Sequence, residues 1–267
     1  MLHLLRKARQ KLLTENKFRK YIIYALGEIL LVMVGILLAL QFSSWNQQKE
    51  NTKKEEWYLN NIVEDLEYQK AILKDMIIHY NESIFIEKSI IKDFSINYSF
   101  SDIDSLDDKL NYLTISYDFP KIDNTYRELV SSGQFSLISD KFLSVEIINY
   151  YLFCEANDND VNNDLNNIFY KEIYPVINKY AQVTIYEKGS SPDDESLNDI
   201  DPALTLFIQN KLKEPASKLE LINAVKTKFI LQENFLDLVS KTLIDIDSLI
   251  KKIDAYLGYT PDMVNHY

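Results

Sequence analysis

The hydrophobic and polar positions divide the chain into one continuous apolar run and a series of amphipathic segments. Residues 21–42 read YIIYALGEILLVMVGILLALQF, 22 positions with a single charge. As a helix this run is about 33 Å long at 1.5 Å per residue, enough to cross a hydrocarbon core of about 30 Å. It is longer than the apolar part of a cleaved signal peptide, about 7–15 residues. The run therefore predicts a transmembrane helix that serves as an uncleaved signal-anchor.

Helical periodicity dominates the rest of the chain. One long helix is predicted from a stripe in steps of three and four residues, and we expect it to continue after a slip through Ile84, Ile91 and Phe94. A second long helix is predicted over residues 215–257 and ends at Gly258. The stripe of the first helix consists of Leu59, Ile62, Leu66, Gln69, Leu73, Met76 and Tyr80.

Shorter helices are predicted between the two long ones. They cover residues 105–113, a segment capped by Asp123 or Asn124, a segment that starts after Ser139 or Asp140, and residues 161–182 with Pro175 as a kink or a break. Pro202 is predicted to open another helix, with Asp201 as its cap. The acidic stretches 155–164 and 187–201 are interpreted as solvated loops. The predicted fold class is all-α: an N-terminal transmembrane helix followed by an elongated extracytoplasmic helical bundle with two long helices.

Charge is distributed unevenly and predicts a topology. Residues 1–20 carry seven basic side chains and one acidic one, whereas residues 43–267 carry 22 basic and 38 acidic ones. Cytoplasmic flanks hold the excess of Lys and Arg. We therefore expect a cytoplasmic N-terminal segment (1–20), a span (21–42) in the inner membrane, and a periplasmic helical domain (43–267).

The two ends of the span carry residues typical of a membrane interface. Tyr21, Tyr24 and Trp45 are expected at the interfaces, where amphipathic rings anchor a helix. The N-terminal segment alternates leucines with cations at helical spacing. This pattern predicts an amphipathic helix on anionic lipid headgroups; a purely topological role for the same charges is the alternative. The lipid-contacting cations in the first interpretation are Arg6, Lys7, Arg9 and Lys11.

An acidic residue lies inside the apolar run. Glu28 is about 10 Å from its start along the helix. It shares one face with Gly35 and other small residues, which let two helices approach closely. A carboxyl group that faces a second helix avoids the cost of facing lipid. We expect this face to pack on another membrane helix, from a second copy of the chain or from another membrane protein. Its residues are Ala25, Glu28, Val32, Gly35 and Ala39.

Residue types suited to catalysis are scarce. The chain has three histidines and one cysteine. It has no glycine-rich nucleotide loop and no Cys/His zinc pattern. Cys154 lies in an apolar stretch and is expected to be a buried, inert thiol; His79 is expected to be a partly exposed helix residue. Because the domain is acidic, we expect no nucleic-acid binding. We expect no cofactor, no bound metal and no enzymatic activity.

The region around the span resembles a known group of proteins. The stretch KLLTENKFRKYIIYALGEILLVMVGILLALQFSSWN, residues 11–46, is similar to the start of a family of bacterial envelope proteins of unknown function, found mainly in the Bacteroidota. The resemblance supports the single-span topology and implies no activity. It rests on a K-Y-x-x-Y-A-x-G-E-I run, a G-I-x-x-A-L-Q run and a W-N pair, which here are Lys20, Tyr21, Tyr24, Ala25, Gly27, Glu28, Ile29, Gly35, Ile36, Ala39, Leu40, Gln41, Trp45 and Asn46.

Three functional hypotheses remain open from the sequence. The leading one is a non-enzymatic scaffold or assembly partner that acts through its span and its periplasmic helical domain. The second is a periplasmic sensor-type input protein that relies on a partner for output, since about 20 residues remain inside. The third is a subunit of an ion-driven membrane complex that uses Glu28.

Overall fold

The computed structural model of the protein describes residues 18–183 and 201–258, with side chains from Lys20 onward. Helices account for 86% of these residues, and none of them forms a β-strand. The expectation of an all-helical chain is thus confirmed for this part. Internal contacts divide the chain into two units, one ending at Trp57 and the other beginning at Tyr58.

Seven α-helices are named here in chain order. A 3₁₀ turn, Gln134–Leu137, separates α3 from α4, and a π-helical segment, Leu165–Ile173, separates α4 from α5. The helices are α1 (Phe18–Asn97), α2 (Leu106–Tyr112), α3 (Asn124–Ser131), α4 (Lys141–Asp164), α5 (Tyr174–Tyr180), α6 (Pro202–Lys211) and α7 (Pro215–Leu257).

The first unit contains the apolar part of α1. This helix is long and apolar enough to cross a membrane, and no residue in its most apolar window is buried against the rest of the protein. A soluble helix with these side chains would bury them. The structure therefore agrees with a membrane-spanning segment near the N-terminus, by length and composition.

In the second unit, α1 contributes a regular inward seam. All seven residues of the predicted stripe, from Leu59 to Tyr80, are buried. Ile84 is buried, as predicted, and Ile91 and Phe94 are half-buried against the core. The seam itself does not slip, because the same steps of three and four continue through Ser83, Glu87 and Ile90, all buried. The sequence suggests a slip because two polar residues occupy the seam where apolar ones are sought.

Helix α7 has a matching seam and runs antiparallel to α1. Lys70 pairs with Asp247 and Lys88 with Glu233, so positions that rise along α1 fall along α7. Leu219 is apolar but exposed, so it lies outside this seam. Ten of the fourteen buried α7 residues recur in steps of four and three: Leu221, Val225, Lys228, Gln232, Phe235, Val239, Thr242, Ile246, Leu249 and Ile253.

Helix starts follow the predicted caps with one exception. The carboxylates of Asp140 and Asp201 accept backbone N–H bonds at the starts of α4 and α6, as expected. Asp123 precedes α3 but its side chain makes no capping bond. The Thr125 N–H donates instead to Asp65 Oδ2 of α1, at 2.9 Å. The cap of α3 therefore comes from a different helix, which also fixes α3 against α1.

The segment from 155 to 180 differs from its prediction. Residues 155–164, interpreted above as a loop, are the last turns of α4, and the expected helix 161–182 is divided among α4, the π segment and α5. Pro175 lies in the first turn of α5, directly after the π segment. Asn162 donates to Asp158 Oδ1 within this stretch, so local pairs stabilise the acidic turn.

Several predictions lie outside the described residues. These are the amphipathic helix of residues 1–17, with Arg6, Lys7, Arg9 and Lys11, and most of the predicted loop 187–201. The topology of the chain, the placement of Tyr21, Tyr24 and Trp45 at membrane interfaces, and the domain limits at residues 20 and 42 also stay predictions.

Candidate functional site

The membrane-helix face is the first candidate site. Glu28, Val32, Gly35 and Ala39 are exposed on α1, and Ala25 is half-buried. A Cβ placed on Gly35 would meet nothing within 4 Å. The helix backbone is thus open at Gly35, as a close helix–helix approach requires. Within the described residues this face packs against no other helix of the chain.

Trp45 lies just beyond the apolar run. Its ring is 5.9 Å from that of Phe42, and the Lys49 ammonium lies 6.0 Å from its centre. A large ring between an apolar neighbour and a cation is the arrangement that suits a membrane–water boundary.

A second candidate lies in the core of the second unit, where polar residues form two separate layers. The first layer, called here the Gln69 layer, contains Gln69, Pro120, Tyr150 and Cys154. The Tyr150 hydroxyl donates to Gln69 Oε1 at 2.6 Å, and Gln69 Nε2 donates to the Pro120 carbonyl at 2.7 Å. The same amide also lies 3.9 Å from Cys154 Sγ. Every polar atom of the Gln69 side chain is therefore satisfied, and the layer connects α1, α4 and the segment before α3.

The second layer, called here the Glu87 layer, contains Ser83 and Glu87 from α1 and Lys228 and Gln232 from α7. Ser83 Oγ donates to Glu87 Oε1 at 3.0 Å and accepts from Gln232 Nε2 at 3.4 Å. Among the described residues, Glu87 Oε2 and Gln232 Oε1 are buried without a hydrogen-bond partner. This layer is thus only partly satisfied.

Lys228 contributes the cation of the Glu87 layer. Lys228 is 1% exposed, and its ammonium donates to the Ile115 carbonyl at 3.0 Å and lies 4.1 Å from the centre of the Phe169 ring. Phe169 belongs to the π segment. A cation over a desolvated aromatic face is attracted by the ring quadrupole. The ring and the carbonyl together replace part of the water that the ammonium has lost.

Burial shifts both ionisable groups of this layer. Removal from water raises the pKa of Glu87 well above its ordinary value, and the nearby Lys228 and the Ser83 hydroxyl oppose that shift. Removal from water also lowers the pKa of Lys228, against the attraction of Glu87. Each charged form is therefore disfavoured by its surroundings. Perturbed acids and bases of this kind mark functional sites as well as structural ion-pair networks.

The sequence reasoning missed this layer entirely. A glutamate and a lysine on a helix normally predict a solvated face. The available signal was spacing alone: Glu87 is seven residues after Tyr80, and Lys228 is seven residues after Leu221, each on its helix seam. The layer is the one place where the seams of α1 and α7 bring together charges of opposite sign.

The other residues singled out from the sequence have ordinary settings. Cys154 is buried, as expected, and burial raises the pKa of its thiol. His79 stacks on Tyr117, with ring centres 5.3 Å apart. In residues 18–183 and 201–258, no three His, Cys, Asp or Glu side chains are arranged to hold a metal ion.

Comparison with known proteins identifies a family. The chain belongs to a family of unknown function (DUF6090), which matches residues 28–168. The predicted membership of a family of unknown function is therefore confirmed, over a longer segment than residues 11–46. The match includes Glu28, Glu87 and the whole Gln69 layer, and it ends before Lys228 and Gln232. No curated protein and no solved structure was found to match the chain.

Proposed function

We propose that the protein is a membrane-anchored, non-enzymatic scaffold or assembly partner that associates through the face of Ala25, Glu28, Val32, Gly35 and Ala39. The observation that carries the proposal is the exposure of Glu28, Val32, Gly35 and Ala39 on this face, with open space at Gly35. In a bilayer, an exposed stripe of small residues favours packing against a second helix over contact with lipid. A carboxyl group on the same stripe favours it further, because facing lipid is costly for this group. The partner is a second copy of the chain or another membrane protein.

Crosslinking in native membranes tests this association. Gly35→Leu and Glu28→Leu should remove crosslinked species that contain the protein, because each replaces a contact on the proposed face. Gly27→Leu makes the same change as Gly35→Leu about 80° around the helix and should leave those species intact. Unchanged crosslinking in both face variants would contradict the proposal. Co-purification of two differently tagged copies distinguishes self-association from another partner.

The proposed location follows from the charges that flank the span. We place residues 1–20 in the cytoplasm and residues 43–267 in the periplasm, with the span in the inner membrane. In a Cys154→Ala background, Lys49→Cys should react with a membrane-impermeant thiol reagent in intact spheroplasts. Glu15→Cys should react only after lysis. The reverse pattern would invert the topology.

The unusual carboxyl group of Glu28 favours an ion-driven complex as a second candidate function. An acid inside an apolar helix is the residue type from which membrane proton relays are built. Glu28→Gln keeps the size and the hydrogen-bonding ability of the side chain but cannot carry a proton. Proton flux that is unaffected by Glu28→Gln would exclude this candidate, whereas association lost only in Glu28→Leu would favour the scaffold.

A further inference from the structure

A cavity of about 380 Å³ lies in the second unit between α6, the start of α2 and the segment before α2. Its walls include Phe100, Ile103, Tyr180 and Leu212, all buried apolar or aromatic side chains. Six of the twelve lining residues are apolar or aromatic and six are polar. The cavity therefore offers both kinds of contact, and its size lies in the range of small-molecule sites. It does not involve the span, so it is independent of the association proposed above.

The charged groups on the cavity wall have one sign. Asp107 and Asp108 line it, and no lysine, arginine or histidine does so among the residues that the structure describes. The cations on the lining helices pair with other acids: Lys109 lies 4.0 Å from Asp93, and Lys211 lies 3.0 Å from Glu214. Lys179 lies 5.2 Å from the centre of the Tyr180 ring and pairs with Glu220 at 2.8 Å. Burial raises the pKa of Asp107 despite a hydrogen bond from the Gln182 backbone. This carboxylate lacks a cation that would stabilise its charge.

One wall of the cavity is a loosely held helix. No residue of α6 is buried, and Leu204 and Phe207 on its outer side are more than half exposed. Thr205 and Ile208 face the cavity, and Gln182 Nε2 donates to Thr205 Oγ1 at 3.2 Å. Helices are held chiefly by buried apolar area. A ligand beneath α6 would supply contacts that this helix lacks.

The opposite wall contains the unusual backbone of the second unit. Tyr98 and Ser105 both have φ of 50°, in the left-handed region, although neither is glycine. They bracket the segment that carries Phe100 and Ile103, and Ser105 itself lines the cavity. Left-handed backbone at non-glycine residues is strained, and such strain concentrates at ligand clamps and switches.

We propose that this cavity binds a small organic cation, a protonated amine on an apolar stem. The ammonium pairs with Asp107 and Asp108, and the stem packs against Phe100, Tyr180 and Leu212. An acidic wall without a basic residue excludes anions by repulsion, and the apolar wall favours an amine with a hydrocarbon stem over a bare metal ion. Binding would draw α6 onto the cavity, which gives the domain a ligand-dependent conformation of the kind that a sensor requires.

Thermal unfolding of the full chain in detergent, followed by near-UV circular dichroism, tests this proposal with three probes of nearly equal size. Phenethylamine should raise the melting temperature in a saturable manner, and 2-phenylethanol should raise it less. Phenylacetate should not raise it. Hydrogen exchange in α6 should slow when phenethylamine is added and not when phenylacetate is added.

Variants separate the cation site from general stability. Asp107→Asn should weaken phenethylamine binding about tenfold or more, because a charge-assisted contact becomes a neutral one. Asp102→Asn changes an exposed acid of the neighbouring segment and should leave binding unchanged. Thr205→Phe fills the cavity without touching a carboxylate and should abolish the shifts from all probes. Equal shifts from phenethylamine and phenylacetate, equal effects of the two Asp→Asn changes, or no shift with any probe would overturn the proposal.

Discussion

The Gln69 layer and the Glu87 layer lie on the same seam of α1 but differ in how far their buried polar groups are hydrogen-bonded. In the Gln69 layer each polar atom of the amide has a partner. In the Glu87 layer two buried oxygens have none among the described residues, and both ionisable groups are shifted toward their neutral forms. A satisfied buried network stiffens a core, whereas a partly satisfied one stores free energy. We therefore expect the first layer to fix the register of the helices and the second to make the stability of the domain depend on pH.

The largest expected effect comes from breaking the Glu87 layer on one side. Glu87→Leu leaves the Lys228 ammonium buried without its acid and should lower the free energy of unfolding by about 3–5 kcal/mol. Glu87→Leu combined with Lys228→Met should recover this loss and can exceed the wild type by about 1–4 kcal/mol, because no charge remains to be desolvated. Urea unfolding measures both variants. A double variant as unstable as the single one would mean that the charges do not oppose folding.

In the Gln69 layer, by contrast, the double variant should remain less stable than the wild type. Gln69→Leu leaves the Tyr150 hydroxyl and the Pro120 carbonyl without partners and should cost about 2–3 kcal/mol. Gln69→Leu together with Tyr150→Phe should cost less than the sum of the two single changes, since the second removes a group that the first had left unsatisfied. A double-mutant cycle in urea checks this. Simple additivity would show that the bond between the two side chains contributes nothing.

The pH dependence of stability distinguishes the two layers further. The raised pKa of Glu87 contributes stability that is fully present below the unfolded value of about 4.3 and is lost as pH rises through the folded value. The lowered pKa of Lys228 contributes stability that is present above about 10.4 and is lost as pH falls through the folded value.

We therefore expect the Glu87 layer to contribute a minimum of stability between these limits. On either side of this minimum, the free energy of unfolding should change by at most about 1.4 kcal/mol per pH unit for each proton bound or released. The measurement is the difference in unfolding free energy between the wild type and the Glu87→Leu/Lys228→Met variant from pH 5 to 9.5. The same difference for Gln69→Leu should vary little over that range. A flat difference for the Glu87 layer would refute its proposed response to pH.

The smallest expected effect concerns the cap that α1 supplies to α3. Asp65→Ala removes the acceptor of the Thr125 N–H and should cost about 1 kcal/mol. Asp123→Ala is the matched control: its carboxylate makes no capping bond, and its 4.0 Å contact with Arg127 is a surface pair of little value. Thermal unfolding measures both. Equal losses would indicate that Asp123 caps the helix after all.

Much of the fold was accessible from residue spacing. The stripe from Leu59 to Tyr80, the end of α7 at Gly258 and the caps at Asp140 and Asp201 all follow from local rules, because each depends on neighbours within one or two turns. The cap of α3 was not accessible, since Asp65 is 60 residues away in sequence. The Glu87 layer escaped prediction for a related reason: a buried charge is tolerated only through partners on other helices, and the sequence does not show them.

The candidate sites divide in the same way. The face around Glu28 could be read from one helix alone, because periodicity places its members together. The acidic cavity could not be predicted in this way. Its walls come from three separate segments, and whether they leave a space between them depends on how these segments pack. Asp107 and Asp108 looked from the sequence like the acidic first turn of a short helix, which they also are.

The π segment determines how the residues that follow it are oriented around the helix axis. Its wider turn holds more residues than an α-helical turn, and Leu165, Phe169, Ile173 and Ile177 are buried at a constant interval of four. Deletion of one residue here would rotate the chain that follows by about 100°, the angle per residue of an α-helix. Tyr180 would then leave the cavity wall, and Phe169 would no longer lie over Lys228. The π segment therefore holds both Tyr180 on the cavity wall and Phe169 over Lys228 in their positions.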